Sequence, residues 1–206
     1  RKMSKSIGNA LEVEALVNEY GADVCRWWVS SLAFDGDVKV DLEFFRLAGE
    51  SYRKIRNTIR FLLSNLMDFE PEDHMVALED IEPHTVDGWI LGHAAQVERH
   101  VREAMHRYAF REAHLALFDF CNDAVSATYC VAVKDRLYCD EVDSVRRRRC
   151  QTTMHHLADL LCRLLAPIVP HTANEAFRAL HGDDASIFDA VHKGLSYESA
   201  TEWPAI

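Results

Sequence analysis

The chain has 206 residues, 49% of them hydrophobic and 27% charged, enough for one good-sized core or two small ones. A formal net charge of −10 argues at first sight against a polyanionic partner, and no window approaches the ~18 continuous apolar residues of a membrane span. There is no basic-then-apolar leader. The opening Arg1-Lys2-Met3 reads as the start of an excised piece of a longer, cytoplasmic protein.

Residues 1–9 (RKMSKSIGN) form a polar loop, and Leu11 to Tyr20 has helical spacing of Leu11, Val13, Leu16 and Val17, with Gly21 as a stop. Asp23 is placed to cap a second helix through Cys25, Trp27, Trp28, Val29 and Leu32. Phe34 to Val40 breaks the helical pattern. Asp35-Gly36 signals a turn, and Val38 and Val40 alternate like a short strand. The clearest element follows, with Phe45, Ala48, Tyr52, Ile55, Ile59, Leu62 and Leu66 forming one apolar seam, ending before Pro71. The acidic stretch to Pro83 reads as a loop. Helical patterns resume over about 84–107 and 109–133, then after Asp140 along Cys150, Met154, Leu157, Leu161, Leu164 and Ile168. A shorter helix, 172–181, stops before Gly182, and the acidic tail from 183 has weak periodicity. Long amphipathic helices with short connections predict an all-α, antiparallel helical bundle over 44–182. A small helical segment, 1–43, precedes it, and a tail or linker, 183–206, follows.

Six cysteines are scattered without a CxxC pair, which suits reduced thiols, and no Cys/His cluster has finger-like spacing, so no metal is expected. Charge is segregated along the chain. Residues 68–82 hold seven acids and no Lys or Arg, whereas 46–60 hold Arg46, Arg53, Lys54, Arg56 and Arg60 against Glu50 alone. Local potential governs binding, so an acidic protein can carry a basic face.

Lys2 and Lys5, with hydroxyls between them and Gly8 nearby, make a cationic loop suited to triphosphate oxygens that gain charge in a transition state. Residues alone leave this at an anion-binding loop or a solvated one. The string Lys2-Met3-Ser4-Lys5-Ser6 is identical at all five positions to the KMSKS motif of class I aminoacyl-tRNA synthetases. Tyr20-Gly21-Ala22-Asp23 and Arg26-Trp27-Trp28-Val29 resemble the isoleucine, valine and leucine members. The run Ser51 to Leu63 (SYRKIRNTIRFLL), Lys134 to Cys139 and Leu164 to Ile168 resemble the isoleucyl branch in particular. Glu12-Val13 stands where many relatives have Asp-Pro, so the first helix is expected to start less sharply.

This resemblance covers residues 1 to about 182. It implies that Lys2, Met3, Ser4, Lys5 and Ser6 contact ATP, with Lys2 and Lys5 catalytic and Met3 an anchor. It further implies ATP with magnesium, isoleucine and isoleucine tRNA as what the whole enzyme binds, and no activity for this piece alone. The same region of a valyl enzyme, and a helical interaction module in which the motif is coincidental, are the alternatives.

Arg46, Arg53, Arg56 and Arg60 share one helical stripe beside the apolar seam, so a row of guanidiniums can meet successive phosphates and stack on unpaired bases. Arg146 and Arg147, in a run of four arginines, are a second candidate, with an Asp143–Arg147 pair as the structural alternative. Arg99, Arg102 and Arg107 form a weaker group. Trp89, Tyr108 and Tyr138 are possible stackers, whereas Trp27 and Trp28 are expected to pack the loop segment onto the bundle.

Overall fold

The computed structural model describes residues 11–190 and 194–197. Among them there are helices and connections and no strand. The helices are α1 (Val13–Tyr20), α2 (Ala22–Ser30), α3 (Leu42–Ser64), α4 (Pro71–His74), α5 (Val86–His106), α6 (Phe110–Asp119), α7 (Cys130–Ala132), α8 (Lys134–Tyr138), α9 (Val145–Leu165) and α10 (Pro170–His181). Phe34 to Val40 is irregular. The strand expected from Val38 and Val40 does not form, because no second strand is there to satisfy its backbone groups.

Helix α9 is the centre of the bundle. It packs against α3, α5, α8 and α10 and buries residues around most of its circumference, from Cys150 and Met154 to Leu164 and Leu165, as a helix enclosed on several sides must. α3 lays the predicted seam against α9 and α2. Phe45, Ala48, Ile55, Ile59 and Leu62 are buried, and the Asp41 carboxylate accepts from the Glu43 N–H at the N-terminus. α5 and α6 meet at a tight turn in which Ala109 N–H reaches Ala104 O (2.8 Å) and Tyr108 N–H reaches Met105 O (3.0 Å). This Schellman closure puts Tyr108 at φ 59°, a left-handed position that glycine ordinarily takes.

The helix expected over 109–133 is continuous but not uniform: Phe120–Tyr129 is π-helical. The core explains the widening. Buried pairs recur at Phe120/Cys121, Ala124/Val125 and Tyr129/Cys130, a mean spacing of about 4.5 residues, matching the ~4.4 residues per turn of i→i+5 bonding. At 3.6 residues per turn, nine residues is two and a half turns, and Tyr129 would face away from Phe120. The wider coil instead buries the Tyr129 hydroxyl, which donates to Asp87 Oδ1 (2.8 Å). Arg136 of α8 holds Asp87 Oδ2 at 2.6 Å.

Asp23 does not cap its own helix. Gly21 occupies the N-cap of α2 with no side-chain bond. The Asp23 carboxylate instead accepts from Thr172 N–H (2.7 Å) and Thr172 Oγ1 (2.6 Å) at the first turn of α10, where a helix's positive end favours an anion. Burial pushes this carboxyl up, but the bonds from Thr172 and His171 outweigh it and leave its pKa lowered. Beside it Arg26 donates to Ile168 O and Pro167 O, satisfying carbonyls between α9 and α10. Pro170 is the first residue of α10, where its missing N–H costs nothing. Trp27 is fully buried, with its Nε1–H on Ser51 Oγ (2.9 Å), and Trp28 packs on Phe45. The segment before the bundle is thereby fastened to it. α1 starts at Val13 with no side-chain cap, in keeping with the missing Asp-Pro. Only Leu16 of its predicted apolar face is buried, while Val13 and Val17 are exposed.

The acidic stretch after α3 is strapped down rather than free. Phe69 and Ile81 are buried, and Val76 N–H bonds Thr152 Oγ1. The tail forms no helix in its described residues, yet Ile187 is buried, Leu195 N–H donates to Glu98 Oε2 and the Tyr197 hydroxyl donates to Ile81 O. No helix among the described residues is long and apolar enough to cross a membrane.

Gly88 lies where α5, the Glu82–Pro83 turn and the tail converge. A Cβ there would collide with Glu82 O, the Tyr197 hydroxyl and Pro83 Cα. Helix propensity favours alanine by about 1 kcal/mol, but overpacking opposes it, so Gly88→Ala is expected to destabilise the fold by about 1–3 kcal/mol in urea denaturation. Acid stability should fall in two stages. Desolvation holds His114 and His155 at about 4, against 6.5 for the free side chain, with His156 and His181 adding to the effect on His155. Below pH 6.5 the unfolded chain therefore takes up protons that the fold refuses, and stability drops until about pH 4. Arg147 foremost holds Asp68 at about 2; for Asp159, bonds from His181 and Arg163 outweigh burial and also bring it to about 2. Their contribution, intact above 3.8, is lost as pH falls toward 2. Denaturation midpoints measured from pH 8 to 2 should show both stages, and His155→Gln should diminish the first.

Candidate nucleic-acid interface

Two arginine groups that look alike in sequence are used differently. In the 146–149 run, Arg146 pairs with Asp140 (Nε to Oδ2, 2.6 Å). Arg147 is largely buried and reaches Asp68 (2.7 Å), Leu137 O, Val142 O and Gln151. Arg148 is buried against Asp68 O, Gln151 and Asp143. The expected Asp143–Arg147 pair is thus replaced by Asp143–Arg148. With Gln151 Nε2 donating to Asn65 O and Asp68, these side chains clamp the exit of α3 to α9. Removing one would leave buried polar groups without partners.

On α3 the stripe divides. Arg46 is held by Glu43 and Glu50. Arg53, Arg56 and Arg60 are exposed and make no ion pair or side-chain hydrogen bond with any described residue. Lys54 adds a further cation, its Nζ 5.6 Å from the Phe118 ring centroid. The α3 register puts Arg53, Arg56 and Arg60 within an arc of about 60°, a cationic edge with which no acid among the described residues forms an ion pair.

Beside that edge runs a groove between α3 and α10 of about 480 Å³, lined by Arg56, Ile59, Arg60, Leu63, Met67, Thr172, Glu175, Ala176 and Ala179 among others. Its floor is apolar. Thr172 is committed to Asp23 and Tyr52, and the Ser64 hydroxyl donates to Phe61 O. Met67 is 87% exposed at the mouth. Sequence reasoning missed Glu175 and Met67 because the groove exists only once α10, begun two residues early by Pro170, lies against α3.

In the third group, Arg102 pairs with Glu98 and Arg107 with Glu112, while Arg99 is exposed. Tyr108 and Tyr138 are exposed and Trp89 is half-buried. No group of three or more His, Cys, Asp or Glu among the described residues is arranged to hold a metal. Lys2, Met3, Ser4, Lys5 and Ser6 lie outside the described residues.

Comparison with known proteins places this geometry. Residues 87–203 match the family described as the anticodon-binding domain of tRNA ligase, and residues 1–41 match the tRNA synthetases class I (I, L, M and V). The isoleucine–tRNA ligase of Chromohalobacter salexigens is 39% identical over 182 residues, covering 88% of this chain and 19% of the relative. That of Serratia proteamaculans is 40% identical over 185 residues, covering 90% and 20%. In fold, the chain is similar to the Agrobacterium radiobacter K84 LeuRS in a ternary complex with tRNA and LeuAMS, with a TM-score of 0.67 at 18% identity, over 91% of this chain and 22% of that one. The chain therefore spans about a fifth of the length of these relatives, and it belongs to the anticodon-binding domain family of the class I tRNA ligases.

Proposed function

We propose that the chain is the loop-and-anticodon portion of an enzyme that activates isoleucine with ATP and joins it to its tRNA in the cytoplasm. The carrying observation is the 39–40% identity to two isoleucine–tRNA ligases across nine-tenths of the chain, in a fold that leaves Arg53, Arg56 and Arg60 uncommitted. In the whole enzyme the amino-acid carboxylate attacks the α-phosphate of ATP, the bond to the β-phosphate oxygen breaks, and pyrophosphate leaves as the aminoacyl-adenylate forms. Lys2 and Lys5 act on the phosphate oxygens as charge builds there, Lys5 foremost, while Met3, Ser4 and Ser6 complete the loop. ATP enters with magnesium as the substrate complex. The bundle's part is positional: guanidiniums on α3 meet the phosphates of the anticodon loop, whose unpaired bases are open to stacking and edge contacts. Arg146 and Arg147 are assigned a structural role instead, since their charge is already spent on Asp140 and Asp68.

Two measurements test this. Fluorescence titration of the 206-residue chain with isoleucine tRNA at low salt should give a Kd of roughly 1–100 µM that weakens as salt rises. The triple variant Arg53→Ala/Arg56→Ala/Arg60→Ala should flatten that salt dependence by about 0.7 log units per lost phosphate contact, with little change in unfolding midpoint. No binding in that range sinks the RNA-binding reading. In the full-length parent, charging should proceed with isoleucine far faster than with valine, and Lys5→Ala should slow adenylate formation by about 10²–10³-fold. Equal or preferred charging of valine would move the protein to the valyl branch.

A further inference from the structure

The α3–α10 groove differs from the other recesses of the bundle. The larger apolar one, about 680 Å³ between α1, α2 and Phe110, has Arg26 as its one charged lining group, and that guanidinium is committed to backbone carbonyls. The recess of about 490 Å³ around Trp27, Trp28 and Lys39 has its Trp27 edge closed by Ser51 and His114. Of these three, the α3–α10 groove alone combines an apolar floor with two arginines that make no ion pair or side-chain hydrogen bond with any described residue, Arg56 and Arg60 on one wall, and with Glu175 on the other. Its volume lies within the roughly 300–1,000 Å³ range of small-molecule pockets.

That combination selects its occupant. Uncancelled cations along one wall call for a polyanion, and an apolar floor beside them calls for a flat apolar group attached to that polyanion. A nucleotide in single-stranded RNA is both. A carboxylate facing the same space is unfavourable toward phosphate, so its use must be toward base-edge N–H groups. An ionised carboxylate has two acceptor oxygens and no donor, and of the four RNA bases guanine alone offers two adjacent donors on one edge, N1–H and the N2 amino group.

We propose that this groove is a slot for one unpaired guanine. The base lies on Ile59, Leu63 and Ala176, with the Met67 thioether over its exposed face, where sulfur–ring contact is favourable. Arg56 and Arg60 take the flanking phosphates, Arg53 extends the track, and Glu175 accepts from N1–H and N2–H. The proposal rests on the anticodon-binding reading and assigns it a position on the protein and a base.

The test uses the 206-residue chain and nine-residue oligouridylates whose central base is U, A, C, G or inosine, followed by fluorescence anisotropy at low salt, with isoleucine tRNA in parallel. The G oligonucleotide should bind about ten-fold tighter than the U, A and C forms, the order of one base contact in single-strand binding, and inosine, lacking the N2 amino group, should fall between. Ala179→Trp, at an exposed position that fills the groove, should abolish the preference at an unchanged thermal midpoint. Glu175→Gln should bring the G and inosine forms down to the affinity of the U, A and C forms, which it leaves unchanged. Arg56→Ala/Arg60→Ala should weaken all five together, and this variant decides the matter if Ala179→Trp proves unstable. Failure of the wild-type chain to bind tRNA and every oligonucleotide overturns the RNA-binding reading and the slot with it. tRNA binding that survives Ala179→Trp and the double arginine variant, or G preference that survives Glu175→Gln, overturns the slot alone.

Discussion

One buried carboxylate organises the bundle. Asp87, 1% exposed in the first turn of α5, would carry a heavy desolvation cost if left alone. The fold answers with the Tyr129 hydroxyl on one oxygen and the Arg136 guanidinium on the other, so that α5, the π-helical stretch and α8 are fixed at one point. Tyr129 also lies against Cys150 of α9, which brings the central helix into the same network. The π-helical stretch follows from this constraint: α-helical winding from Phe120 would carry Tyr129 to the wrong face. An ion pair of this kind adds little net stability over an apolar equivalent, but breaking it leaves an unpaired buried charge. It therefore acts as a selector of helix register.

The clamp around Asp68 works by the same logic at the other end of the core. Arg147, Arg148 and Gln151 converge on the turn that follows α3. A cluster of four arginines suggests a nucleic-acid surface, yet Arg146, Arg147 and Arg148 spend their charge on Asp140, Asp68 and Asp143. The cations left free are those to which the fold brings no acid within pairing distance, Glu175 facing Arg56 and Arg60 only across the groove. Availability for a partner is thus set by which acids the fold delivers, and counting basic residues does not reveal it.

The 3-4 spacing from Phe45 to Leu62 made α3 legible in the sequence, as Gly21 did the end of α1 and Gly182 that of α10, because each depends on a local period or a backbone preference. The bundle class followed from helix lengths and short connections. Features set by distant partners were not legible. Asp23 has the spacing of a local cap, but its carboxylate is claimed by Thr172, and sequence separation hides such a contact. The π-helical stretch looked like ordinary helix because a wide apolar stripe at Phe118, Cys121 and Val125 fits either winding. The strand expected at Val38 and Val40 failed for want of a partner, and alternation alone cannot report that. For the candidate interface, the arginine stripe could be read but its fourth member, Arg46, proved tied to Glu43 and Glu50. The groove wall supplied by Glu175 belongs to a helix more than a hundred residues away.

The capping of α10 by Asp23 brings together two parts of the chain that are remote in sequence. Along the backbone, Asp23 and Thr172 are separated by 149 residues; through the fold, a single carboxylate joins them. The segment that follows the lysine loop and the helix that walls the α3–α10 groove are therefore neighbours in a mechanical sense. A load applied to α10 from the groove is borne at its first turn, and that turn is anchored in α2.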